Sequence, residues 1–182
     1  MEAIRFVAER RYPWIALPYS QFEVMKEHFD TLREYAATHC GYDVPPSQIG
    51  WPAMIYVAET DTQAREEFEP HFWYIAKKGL RLPREYMFPP GHTSVESLMR
   101  PGNVKRKFIS LLSSWTEAEE GGYAVVGSPE TVRQKLREGI KAAGCGILQG
   151  IFQVGSMPHE MAMKNMELFA KDVMPAIRAE FP

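Results

Sequence analysis

The feature that most constrains this chain is an alternation of short, mostly apolar runs with longer segments of helical spacing. The runs are Trp14-Ile15-Ala16-Leu17, Ala53-Met54-Ile55-Tyr56-Val57-Ala58 and Ile147–Val154. Runs of this length read as strands buried on both faces. Between the first two, residues ~21–39 carry Phe22, Met25, Phe29, Leu32 and Ala36 at helical spacing, with Gly41 as a stop. Thr60-Asp61 supplies N-cap chemistry for a helix through Ala64, Phe68, Phe72 and Ile75 to Gly79. Pro70 inside that helix is expected to kink it or divide it in two.

Further along, Tyr123-Ala124-Val125-Val126-Gly127 leads into Ser128, a good N-cap, with Pro129 suited to the first helical position. Val132, Leu136, Ile140 and Ala143 then mark one helical face that ends at Gly144. A first helix through Ile4, Phe6, Val7 and Ala8 ends in Glu9-Arg10-Arg11, before Pro13. A last helix over ~159–178 is expected to bury Met161, Met166, Phe169, Val173 and Ile177.

Residues ~80–121 interrupt this rhythm with Pro83, Pro89, Pro90, Gly91, Pro101 and Gly102. They read as an excursion within a single domain over 1–182, with one amphipathic helix at Val104–Trp115. The aromatics Tyr86, Phe88, Phe108 and Trp115 favour an ordered excursion, and one this long suits a lid over a site. The order is α-β-α-β-α-excursion-α-β-α, which means right-handed βα units and a parallel sheet. Three such strands make a poor parallel sheet alone, and an eight-fold barrel takes roughly 250 residues. The fold class expected is therefore α/β, a partial (β/α)8 barrel holding the last three or so βα units.

Charge and cysteine content narrow the classes of function. The formal net charge is -2, and Lys and Arg are scattered, so no footprint for nucleic acid or anionic lipid is present. No apolar run approaches the ~20 residues of a membrane span, and Met1-Glu2-Ala3-Ile4-Arg5-Phe6 does not have the pattern of a signal peptide. Cys40 and Cys145 are expected to be reduced thiols of a cytoplasmic protein. The five histidines and two cysteines show no metal-ligand spacing. There is neither a G-x-S-x-G elbow nor a phosphate loop, and Gly144-Cys145-Gly146 precedes a strand instead of following one.

Four segments, in order, resemble the C-terminal half of the luciferase-like flavin-dependent monooxygenases. They are Val7-Ala8-Glu9-Arg10-Arg11-Tyr12-Pro13, then Tyr56-Val57-Ala58-Glu59-Thr60-Asp61 with Ala64-Arg65-Glu66, then Val126-Gly127-Ser128-Pro129-Glu130-Thr131-Val132, and finally Leu168-Phe169-Ala170-Lys171-Asp172-Val173-Met174-Pro175. The resemblance implies a (β/α)8 barrel that binds reduced FMN, or in sister groups the deazaflavin F420, at the C-terminal ends of its strands. It aligns this chain with strands six to eight, and the excursion with a segment that roofs the substrate pocket. Family members also carry a Ser/Thr-rich turn for the flavin phosphate where this chain reads Met1-Glu2-Ala3-Ile4, with no hydroxyl.

What the resemblance implies about function is oxygenation of a small, mostly apolar substrate by reduced flavin and O2, with a separate flavin reductase as partner. An F420-dependent hydride transfer is the sister alternative. A non-catalytic half-barrel that needs a complementary half is the alternative from another class, and self-association through unpaired strand edges is expected of it. Gly127 and Ser128, opening a helix on the face where barrel sites collect, are candidates for cofactor binding beside an ordinary N-cap role. His92 is the candidate for proton transfer, against an ordinary loop histidine. Trp73, Tyr74, Tyr86 and Phe88 are candidates for a substrate pocket, with His71 beside the first two. Aromatics at helical spacing also serve as core. His28, His39 and His159 are read as surface residues.

Overall fold

The computed structural model describes residues 2–79 and 112–181. Helix α1 (Glu2–Arg10) is followed by a two-residue strand, β1 (Trp14–Ile15). Helix α2 (Phe22–Tyr35) runs into a π-turn at Ala36–Cys40, and Gly41, at φ +67°, ends it in the left-handed conformation that glycine adopts freely. Strand β2 (Ile49–Val57) leads to α3 (Asp61–Tyr74), capped by Thr60, whose side chain accepts from the Gln63 N–H. Beyond the excursion come α4 (Trp115–Glu120), β3 (Ala124–Gly127), α5 (Pro129–Ala143) and β4 (Ile147–Ile151). Helix α6 (His159–Leu168), a π-turn at Phe169–Val173 and α7 (Met174–Glu180) complete the described chain.

The four strands of the described residues are all parallel, and β2 is central. Gly50 pairs with both Ile15 and Ile147, and Met54 with both Ala124 and Ile151. β1 and β3 therefore lie one after the other along one edge of β2, and β4 lies along the other edge. β3 follows β2 in sequence but pairs back on the β1 edge, so the spatial order of the sheet is not the sequential strand order of a barrel wall. The sheet stays open, as expected of part of a barrel.

Crossover handedness explains which helix covers which face. The connections β1–α2–β2 and β3–α5–β4 cross the sheet in one direction, while β2–α3–β3 returns in the other. Right-handed crossovers then put α2 and α5 on one face and α3 on the opposite one. The packing agrees. Met54, Tyr56 and Ala58 of β2 meet Ala64, Phe68 and Phe72 of α3, together with Trp115 and Tyr123. Trp51, Ala53, Ile55 and Val57 meet Phe29 of α2, Leu136 and Ile140 of α5, and Ile177 of α7. A barrel keeps its helices outside, whereas here α3 fills the other side of the sheet, so β2 is buried throughout.

Several expectations need correction. Residues 124–127, read above only as the approach to a helix, form a fourth strand, β3. The run at 14–17 is not a buried strand: Ile15 is 48% and Leu17 73% exposed, because β1 meets only the first residues of β2 and diverges after Ile15. Pro70 does not divide α3, which continues through it to a π-turn at Ile75–Gly79. In the last helix Met166 is exposed and Asn165 takes the buried place, with a π-turn after Leu168 resetting the phase before Val173 and Ile177. The helix expected over Val104–Trp115 lies largely outside the described residues. Its described margin, Leu112 and Trp115, docks on α3, where Trp115 meets Phe68 and Phe72 edge-on at 5.9 and 5.5 Å between ring centroids. Lys77 also donates to the Leu112 carbonyl.

Candidate functional site

In open parallel sheets, ligand crevices form at the carboxyl ends of neighbouring strands whose connections leave to opposite faces. β2 and β3 meet that condition, since β2 departs to α3 and β3 to α5. Val57 pairs with Gly127, and the Ala58 N–H donates to the Gly127 carbonyl at 3.2 Å. The crevice is therefore bounded by residues 57–61 on one side and Gly127-Ser128 on the other. It also brings the N-termini of two long helices together.

One carboxylate occupies that meeting point. Ser128 caps α5, its hydroxyl accepting from the Thr131 N–H at 3.4 Å. The Ser128 N–H donates to Asp61 Oδ1 at 2.6 Å, and the Thr131 hydroxyl donates to Asp61 Oδ2 at 3.0 Å. Asp61 is also in the first turn of α3, so its charge complements both helix dipoles. The Ser128 N–H, and next the Thr131 hydroxyl, hold its carboxyl below the usual carboxylate value. Gly127 makes the approach feasible. A Cβ there would stand 2.7 Å from Thr131 Cγ2 and 2.8 Å from Asp61 Oδ1.

Gly127 and Ser128 thus form a junction whose anionic partner is the protein's own Asp61. The Ser128 N–H and the Thr131 hydroxyl are both committed to that carboxylate. The sequence had marked Asp61 only as helix-capping chemistry, and its contact with Ser128 spans 67 positions of chain.

The described aromatic candidates, Trp73 and Tyr74, lie well along α3 from this crevice. His71 is ten residues beyond Asp61, roughly 15 Å along α3. Its Nδ1 lies 3.0 Å from Ser156 Oγ, tying α3 to the β4–α6 loop, and burial lowers its pKa. Trp73 is half-buried, donates its indole N–H to Glu69 at 3.0 Å and packs edge-on against Phe72. Tyr74 is exposed, with the Lys78 ammonium 5.3 Å from its ring centroid. His92, Tyr86 and Phe88 lie outside the described residues. His39 and His159 are exposed, whereas His28 is half-buried with its ring 6.2 Å from that of Trp14.

A buried polar contact without a sequence signal is Asn165. Its Oδ1 accepts from the Val57 N–H at 2.8 Å, and its Nδ2 donates to the Ile55 and Phe152 carbonyls at 2.7 and 3.1 Å. β4 pairs with β2 only as far as Met54. Asn165 takes over the next backbone groups on that edge, which would otherwise be buried without partners. Among the described residues no group of three or more His, Cys, Asp or Glu could hold a metal ion, and no helix is long and apolar enough to cross a membrane.

The described residues form an open parallel α/β sheet with a crevice at its strand ends. No family model matches the sequence, and no curated protein matches it. Solved structures do match. The monooxygenase RslO1 from Streptomyces bottropensis superposes with a TM-score of 0.64 at 17% identity, over 97% of this chain and 45% of its own. The oxygenating constituent of 3,6-diketocamphane monooxygenase from Pseudomonas putida, a type II Baeyer-Villiger enzyme in complex with FMN, has the same TM-score and identity, over 94% of this chain and 45% of its own. The coenzyme F420 dependent tetrahydromethanopterin reductase from Methanopyrus kandleri follows at 0.54 and 17%, over 98% and 48%. These neighbours are luciferase-like barrel proteins, and this chain has the fold of part of such a barrel, spanning less than half of their length.

Proposed function

We propose that this fold serves a flavin-dependent monooxygenase of the luciferase-like kind, which uses reduced FMN and O2 on a small, mostly apolar substrate. The observation that carries the reading is the superposition on the FMN-bound Baeyer-Villiger monooxygenase over 94% of this chain. A flavin would supply the redox chemistry. This chain's residues supply part of the enclosure: the doubly covered sheet, the α3 face and the excursion over 80–121 as a lid that excludes water. Trp73, Tyr86 and Phe88 are proposed to contribute apolar surface to the substrate side, and His92 a proton donor.

At the Gly127-Ser128 junction the Ser128 N–H already donates to Asp61. The reading therefore requires donors from a complementary part of the barrel. The 182-residue chain alone is accordingly expected to bind FMN weakly or not at all. Saturable quenching of FMN fluorescence at low micromolar concentration would overturn that expectation. Turnover of reduced FMN by the chain with a complementary half, but not by either alone, would support the oxygenase reading.

A second reading, F420-dependent hydride transfer, has its own support in the reductase from Methanopyrus kandleri. Reduced F420 consumed without O2 would favour it. A non-catalytic half-barrel is the third, and an intact complementary assembly that turns over neither cofactor would favour that. In all three the protein is proposed to act in the cytoplasm.

A further inference from the structure

A sizeable cavity lies away from the switch-point crevice, behind β4 on the face covered by α5 and α7. It has a volume of about 620 Å3, within the range that small ligands occupy. Its wall is apolar and strongly aromatic. Leu148, Phe152, Phe169, Ile177 and Phe181 line it, and Phe152 and Phe169 meet edge-on with centroids 4.8 Å apart. These side chains are only partly covered, apart from Ile177, although they pack on the core.

The charges at its mouth are unbalanced. Lys141, Glu180 and Arg178 border the cavity, two cations against one carboxylate. Glu180 is already shared. Its Oε1 lies 2.6 Å from the Lys141 ammonium, and its Oε2 accepts from Arg137 Nε at 2.5 Å. Arg178 has no hydrogen-bond or ion-pair partner among the described residues. A guanidinium is suited to grip a carboxylate with two parallel N–H donors. An aromatic trough with one uncommitted guanidinium at its rim is complementary to an amphiphilic monocarboxylate.

We propose that this cavity binds an amphiphilic monocarboxylate of the fatty-acid type, its apolar tail between Phe152, Phe169 and Leu148 and its carboxylate on Arg178. The ligand is held without covalent change. The site is independent of the flavin reading, because it lies on the opposite face of the sheet from α3.

Decanoate, titrated calorimetrically into the purified chain, tests it, with decanol as the uncharged control. Saturable one-to-one binding of decanoate is expected, weakened about tenfold in Arg178→Gln, the loss of one charge-assisted contact. Decanol is expected to bind equally to both proteins, and only decanoate affinity should fall with added salt. Arg178 is exposed, so this variant should fold as the parent does. Phe169→Ser should weaken both ligands, with circular dichroism to confirm its fold. Equal affinity for decanoate and decanol, unchanged by Arg178→Gln, would overturn the proposal, as would no binding of either. A dimer by light scattering that takes up no decanoate would overturn it too.

Discussion

β2 and β4 are neighbours in one parallel sheet, yet they live in different environments. Every residue of β2 is buried, whereas no residue of β4 is. β2 has strands on both edges and helices on both faces. β4 has a strand on one edge only among the described residues, and its wall toward α7 is a cavity. The contrast shows that an apolar run does not bury itself. The crossover directions decide how many layers reach it, and β4 is where the layers run out.

The largest test of this contrast is truncation on the α3 face. Phe68 is fully buried between Tyr56, Phe72 and Trp115, so Phe68→Ala should cost about 3–5 kcal/mol in urea unfolding. Ile151→Ala, on half-buried β4, should cost roughly half as much or less. Equal losses would break the distinction between the two strands.

Next in size is the asparagine that continues the β4 edge. Asn165→Leu strips partners from the Val57 N–H and the Ile55 carbonyl, and about 2–3 kcal/mol should be lost. A loss near zero would mean that water or a shifted β4 replaces the amide. Gly127→Ala comes after it. The added Cβ meets Thr131 and Asp61, and about 1–3 kcal/mol should follow.

Smaller effects concern titration. Asp61 has a lowered folded-state pKa, so its contribution is complete above the ordinary carboxylate value of 3.8 and is lost as pH falls through the folded value. Asp61→Asn should remove that part of the acid dependence and cost about 1 kcal/mol at neutral pH, a cap on an exposed site. His71 acts at higher pH. Burial lowers its pKa, so its contribution is complete above 6.5 and declines as pH falls below that. Unfolding curves of His71→Gln that keep the parent's decline between pH 6.5 and 5 would remove His71 as its source. The smallest effect on stability is expected for Gln149→Lys on exposed β4, within about 0.5 kcal/mol. If the free edge of β4 pairs two copies, the same change should shift light scattering toward monomer.

Much of the local structure was legible because it rests on local chemistry. Helical spacing with Thr60 and Ser128 as caps placed the starts of α3 and α5, and the stops at Gly41 and Gly144 are both left-handed glycines. The apolar run at 53–58 located β2, although the strand begins earlier, at Ile49. The resemblance to luciferase-like barrels, carried by four separated segments, is matched by the solved structures that superpose on this fold.

What the sequence determined by itself was the list of elements, because caps, breakers and periodicity act over a few residues. Only the tertiary structure decided which strands share an edge. It made residues 124–127 a strand by supplying β2 as a partner, and it gave β1 only the first two residues of β2, so Ile15 and Leu17 stay exposed. It also brought Asp61 to Ser128 across 67 positions and put Asn165 under Val57 across 108. Those contacts follow from the reversal of crossover direction at β2, a property of the assembled sheet that no local window of sequence contains.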